Sequence, residues 1–188
     1  MPNKKVFSLK RPFFLGYNIL TKKKTTSRKR WQRRYFIMLF KPKKKTEKKE
    51  LLYRGNIKVN CKAKPQEEVI KEVGQMLVDA GYVDQPYVEA MVKREESCST
   101  FMGNGLALPH GIEEAKKDIK DSGIAVMTFP EGTPWGDETA NVVVGIAGVG
   151  EEHLQILSVI AEKMLDESAA EKLANGDVDT VYSILGSN

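Results

Sequence analysis

Two runs decide the architecture of this chain: Gly123-Ile124-Ala125-Val126-Met127-Thr128-Phe129 and Asn141-Val142-Val143-Val144-Gly145-Ile146-Ala147-Gly148. Both are rich in β-branched residues and almost uninterruptedly apolar, the texture of strands buried on both faces. Residues 130–139 between them carry Pro130, Gly132, Pro134 and Gly136 and read as a turn-rich loop. A sheet buried on both sides needs helices above and below it, and the flanking segments supply them. Downstream of Gly150, Leu154, Leu157, Ile160, Ala161 and Met164 mark one face of a helix near 152–165, followed by short helices around 168–174 and 177–185. Upstream, Val69, Val73, Met76, Leu77 and Ala80 recur at helical spacing between Pro65 and Gly81, so 65–80 reads as an amphipathic helix. Asp84 reads as the N-cap of a second helix, with Pro86 in its first turn and an end near Arg94 or Glu95. Residues 106–108 form a short apolar piece between breakers, and 112–120 reads as a short helix. The expected fold class is α/β, with α+β as the alternative: a mixed, mostly buried β-sheet flanked by helices on both faces.

Outside this core the charge changes sign. Residues 1–50 hold 18 Lys and Arg against Glu47 and Glu50, a balance of +16. Of the chain's 30 basic and 25 acidic residues, 12 and 23 are left for residues 51–188, a balance of −11. Two units with different physics are expected: a basic extension over 1–50, outside the functional unit, and a folded domain over 51–188. The extension alternates lysine blocks with aromatic clusters, a texture that can bind nucleic acid or an anionic surface, yet no known binding module is recognisable in it. A short helix could form around residues 31–40, to be stopped by Pro42. The longest bulky apolar run, residues 35–40, is far too short to span a bilayer. Lys10 and Arg11 interrupt the N-terminal apolar residues before a signal-peptide core can form. Cys61 and Cys98 make no disulfide framework, so a reducing compartment is expected.

The chain has two histidines, both beside strand ends. His110, in Leu108-Pro109-His110-Gly111, follows a short strand and precedes the expected helix at 112–120. Amides opening that helix would favour an anion and hold the ring neutral. His110 therefore reads as phospho-accepting or phosphate-binding, or else as a structural, capping or metal-ligating histidine. His153 opens the helix after the second long strand, behind Gly148-Val149-Gly150, and reads either as part of a phosphate-friendly turn or as a surface histidine. Arg94 at the end of the second helix either complements the helix dipole or presents its planar fork to a phosphoryl group. Glu113 and Glu114 read as first-turn helix charge, and Cys98 as an incidental thiol. No metal site is expected, because zinc takes three or four ligands and neither cysteine is suitably spaced from a histidine. No Gly-rich nucleotide loop or Ser-His-Asp spacing stands out, so no cofactor is expected.

Residues 51–188 resemble the enzyme IIA domain of the mannitol-specific phosphotransferase system. The resemblance rests on an ordered set: Gly81-Tyr82-Val83, Tyr87-Val88-Glu89-Ala90-Met91 with Arg94-Glu95, Thr100-Phe101-Met102-Gly103-Asn104-Gly105, and Pro109-His110-Gly111. It continues through Ala115-Lys116, Ser122-Gly123-Ile124, Pro130-Glu131-Gly132, Val144-Gly145-Ile146-Ala147 and Glu152-His153-Leu154. The resemblance implies a cytoplasmic phosphocarrier with the mannitol/fructose IIA fold. His110 would take a phosphoryl group from the phosphocarrier HPr and pass it to a cysteine of the IIB domain of a mannitol permease. His153 would be the second active-site histidine and Arg94 the active-site arginine. Asn104 stands where some members carry a glutamate, and no essential role is assigned to it. Residues 1–50 have no counterpart in the family. Neither a stable nucleic-acid complex nor membrane insertion is expected. Two alternatives stand beside this reading: a fructose-type or nitrogen-related IIA domain with a mainly regulatory role, and a IIA-like module tethered to nucleic acid or membrane by its basic tail.

Overall fold

The computed structural model describes residues 49–186, and the expected helix at 31–40 lies outside them. In chain order the elements are β1 (Ile57–Lys58), α1 (Gln66–Asp79), α2 (Pro86–Ser97), β2 (Phe101–Gly103), β3 (Leu106–Ala107), β4 (Gly123–Trp135), β5 (Glu138–Ala147), α3 (Glu152–Met164), α4 (Glu167–Asn175) and α5 (Val178–Leu185). The five strands form one mixed sheet in the order β1-β4-β5-β3-β2. β4 and β5 run antiparallel at its centre, β1 and β3 flank them in parallel pairings, and β2 closes one edge antiparallel to β3.

The two apolar runs are the arms of one long hairpin, and the loop expected at 130–139 is a correction. Trp135 pairs with Glu138 across a two-residue turn, Gly136-Asp137. Gly136 has φ 63°, the left-handed conformation that a tight hairpin turn needs at its first central position. Pro130, Glu131 and Gly132 fall in an irregularity between Thr128 and Thr133, so the breakers interrupt the ladder without ending the strand. Asn141 Nδ2 donates to the Phe129 and Pro130 carbonyls there, at 3.0 and 3.3 Å. Beyond the irregularity Thr133 and Trp135 are again fully buried.

Strand alternation divides the core between the two faces of the sheet. Ala125, Met127, Phe129, Val143 and Ala147 pack with Val69, Val73 and Leu77 of α1 and Tyr87 and Met91 of α2. Ile124, Val126, Val142, Val144 and Ile146 pack with Ile156, Ile160 and Met164 of α3, Leu173 of α4, and Val181 and Leu185 of α5. The α/β class and two-sided cover therefore stand as read. Burying one such Leu, Ile or Val stabilises the fold by about 1.5–3 kcal/mol, so each face contributes substantially.

Four local expectations change. α2 takes Pro86 as its first residue and Gln85 as N-cap, while the Asp84 carboxylate pairs with Lys120 at 2.5 Å. α2 also runs past Glu95 to Ser97, its last turn tied by the Ser97 hydroxyl to the Arg94 carbonyl and by Arg94 Nη1 to the Cys98 carbonyl. The expected helix at 112–120 is a 3-10 helix, Glu113–Asp118, with only Ala115 buried, too little apolar contact to support a longer α-helix. On α3, Leu154 is 67% exposed, because it lies about 200° of helical rotation from the buried Ile156.

Candidate functional site

The parallel pairing of β3 with β5 continues beyond β3, with the Ile146 amide donating to the Pro109 carbonyl at 3.0 Å and His110 opposite Ile146. His110 thus leaves the sheet as its backbone register ends. From one face Tyr87 of α2 reaches this point, and its fully buried hydroxyl donates to the Ile146 carbonyl and accepts from the Gly111 amide, both at 2.9 Å. From the other face, β5 passes through Gly148 into α3, whose second residue is His153. A Cβ on Gly148 would lie 2.4 Å from the His153 Cα, so only glycine lets the chain turn this closely into the helix. The Ser122 hydroxyl holds that turn, accepting from the Val149 amide at 3.0 Å and donating to the Glu152 carboxylate.

His110, His153 and Arg94 line one open cavity of about 630 Å³, together with Tyr87, Glu113 and Lys116. All three residues singled out in the sequence are thereby brought together from separate segments. The two imidazoles lie 5.0 Å apart between ring centroids, tilted by 60°. His110 Nδ1 is 2.8 Å from the Leu108 carbonyl, an acceptor only, so this nitrogen carries the proton and Nε2 carries the lone pair. Arg94 is half-buried, donates to the Cys98 carbonyl at 2.7 Å and lines the cavity.

Both rings resist protonation. Burial is the main cause at His110, lowering its pKa by removing water from the imidazolium; Arg94 acts in the same direction, against the Leu108 carbonyl and Glu95. Burial also comes first at His153, followed by the neighbouring His110 and Lys116, with Glu113 opposing. The neutral state expected for His110 therefore has a different origin from the one read in the sequence. The segment after it is a short 3-10 helix, and its Gly111 amide is bound to Tyr87.

Asn104 does not line the cavity; its side chain donates to the Met164 carbonyl at 3.3 Å, tying the β2–β3 turn to the end of α3. Cys98 is exposed beside Arg94 and contributes its backbone carbonyl. Glu113 is more than first-turn charge, since it pairs with Lys116 at 2.6 Å on the lip of the cavity. The sequence reading missed Tyr87 and Lys116. Tyr87 gave only a core signal, and nothing local to it announces a hydroxyl that joins two distant backbone segments. Among the described residues no three His, Cys, Asp or Glu side chains group as a metal site.

Chemically, the cavity offers one imidazole nitrogen with a lone pair, a second neutral imidazole, and the cations Arg94 and Lys116 around it. That set suits a nucleophile that must receive a dianionic group and later release it.

Comparison with known proteins places the chain among described relatives. The family model for the phosphoenolpyruvate-dependent sugar phosphotransferase system, EIIA 2, matches residues 50–188. The mannitol-specific phosphotransferase enzyme IIA component of Bacillus subtilis is 49% identical over 125 residues, 66% of this chain and 87% of that protein. The crystal structure of IIA mannitol from Escherichia coli superposes with a TM-score of 0.67 at 38% identity, covering 71% of this chain and 98% of that one. The same IIA in complex with phosphorylated enzyme IIB superposes with a TM-score of 0.68 at 38% identity, over 71% of this chain and 96% of that one.

Proposed function

Since the chain belongs to the EIIA 2 family of the phosphoenolpyruvate-dependent sugar phosphotransferase system, we propose that it accepts a phosphoryl group on His110 from phosphorylated HPr and passes it to the IIB cysteine of a mannitol permease. The observation that carries this is the Nδ1 hydrogen bond to the Leu108 carbonyl, which commits the ring to one tautomer with Nε2 as nucleophile.

The Nε2 lone pair attacks phosphorus in line, the bond from phosphorus to the HPr imidazole breaks, and that ring keeps the electron pair. His110 then carries the phosphoryl group on Nε2 and its original proton on Nδ1, and the Leu108 carbonyl stabilises the positive charge of the ring. In the second half a cysteine thiolate of IIB attacks the same phosphorus, and His110 leaves as the neutral tautomer it started from. Arg94 and Lys116 balance the phosphoryl oxygens in both steps, and His153 hydrogen-bonds to them. The mannitol assignment rests on the relatives named above. The acting unit is the folded domain over 51–188 with the two residues before it that pack against it, Lys49 and Glu50, and it works in the cytoplasm. Among the described residues no helix is long and apolar enough to cross a membrane.

The test is phosphorylation by phosphoenolpyruvate, enzyme I and HPr, read by intact mass and peptide mapping on the native chain and on His110→Ala. One acid-labile phosphoryl group on His110, absent in the variant and discharged by the mannitol IIB domain, is expected. A folded native chain that takes no label from these donors overturns the proposal.

A further inference from the structure

We infer that Glu95 is a positioning residue of this site, setting the tautomer of His110 and the placement of Arg94 through one hydrogen-bonded loop. Its effect on transfer rate rests on the phosphocarrier reading above; its effect on the His110 ring does not.

Glu95 follows Arg94 on α2, half-buried beneath the loop that leads to β2. Its carboxylate gathers donors from four other residues. Trp135 Nε1 reaches it at 2.8 Å, Gln66 Nε2 at 2.7 Å and the Ser99 hydroxyl at 3.1 Å. Thr100 gives it both a backbone amide, at 3.0 and 3.1 Å, and its side-chain hydroxyl. An ionised carboxylate offers about four lone-pair directions, so this one is saturated. Trp135 and Thr100 are buried and would lose their acceptor without it.

What distinguishes this hub from an ordinary buried carboxylate is where its two branches end. In the first, the Thr100 carbonyl accepts from the Leu108 amide at 3.0 Å, and the Leu108 carbonyl takes His110 Nδ1 at 2.8 Å. The carbonyl that selects the tautomer thus belongs to a residue pinned, through Thr100, to Glu95. In the second, pinning Thr100 fixes the chain between it and α2, and the Cys98 carbonyl in that short stretch holds Arg94 Nη1 at 2.7 Å. Nucleophile and cation therefore share an anchor, and a shift in the loop moves both.

The first measurement is the ring-nitrogen NMR spectrum of His110 in the native chain, Glu95→Ala and Glu95→Gln, assigned with His110→Ala. The native ring gives a single tautomer with Nδ1 protonated; Glu95→Ala gives a mixture with a substantial Nε2-protonated population; Glu95→Gln, which keeps an acceptor oxygen in place, restores the single tautomer. Phosphoryl acceptance from phospho-HPr is then followed kinetically. In Glu95→Ala, kcat falls about 10–100-fold, while KM for phospho-HPr changes by less than about twofold, as expected of misplaced reacting groups beneath an intact docking surface.

A folded Glu95→Ala chain that keeps the native tautomer overturns the inference, as does a loss confined to KM. If Glu95→Ala does not fold, Glu95→Gln combined with Thr100→Val removes the charge and the hydroxyl while keeping shape, and the same tautomer shift decides the matter. A native chain that takes no phosphoryl group from HPr ends the phosphocarrier reading alone, because the ring spectra need no donor.

Discussion

The role proposed for His110 requires its ring to meet the donor as a base, and burial favours that state more than any neighbouring charge. Its pKa lies below the ordinary imidazole value, and that of His153 does too. Between the ordinary value, about 6.5, and the depressed ones, the unfolded chain binds protons that the folded chain refuses. The two histidines therefore make folding stability rise with pH: their contribution is present above about 6.5 and is lost as pH falls towards the depressed values. An NMR titration should give both rings midpoints below 6.5, with that of His153 moving up in His110→Ala as the repulsion between the rings disappears. Phosphoryl acceptance should hold constant down to that same acidic limit. Normal midpoints for both would contradict the burial argument. At this scale the sequence was most informative for side chains that themselves line the cavity. His110, His153 and Arg94 could be picked out because each stands at the end of a legible element. Tyr87 could not, because it holds backbone groups of segments far away in the chain, nor could Glu95, which reaches the ring only by way of Thr100 and Leu108.

The elements that matter most for the site are the ones that turn sharply. Gly148 allows β5 to enter α3 with no room for a side chain, and Gly148→Ala would drive its methyl group into the His153 backbone. The start of α3 has to move, so we expect a loss of about 1–3 kcal/mol in thermal or urea unfolding, the usual cost of overpacking. The phosphorylation rate should fall further than stability alone explains, because His153 shifts with the helix; an unchanged rate would show that the spacing of the rings is unimportant. The hairpin shows where local reading failed. Pro130, Gly132 and Pro134 read as a loop because each weakens a strand by itself. An irregularity in the ladder accommodates them, with Asn141 satisfying carbonyls that have lost strand partners. The Gly136-Asp137 pair was a usable hairpin signal that the surrounding prolines masked. The helix expected after His110 failed for the opposite reason: its polar residues allowed a helix, but a single buried alanine could not hold more than a 3-10 turn.

Across the whole molecule, the shift in charge near residue 50 is not quite the edge of the fold. The chain divides after Thr46, and the described residues all belong to the second unit. Lys49 Nζ donates to the Ala80 and Gly81 carbonyls at 3.0 and 2.7 Å, and the Tyr82 hydroxyl donates to the Glu50 carbonyl at 2.6 Å. A chain starting at Glu47 should unfold with the same midpoint as the full one and accept phosphate as fast. A chain starting at Leu51 should lose about 1–3 kcal/mol, from the missing cap on α1 and the missing acceptor for Tyr82. Equal stability of the two truncations in urea would mean that these contacts are only decorative. The layered architecture also limits how this chemistry could be moved to another scaffold. Arg94 comes from the helical cover on one side of the sheet, His153 from the cover on the other, and His110 from the strand end between them. No single excised peptide, and no graft of one loop, can carry the three together. A transplant must bring the sheet edge and both of its coverings, so the smallest portable version of this site is nearly the entire domain.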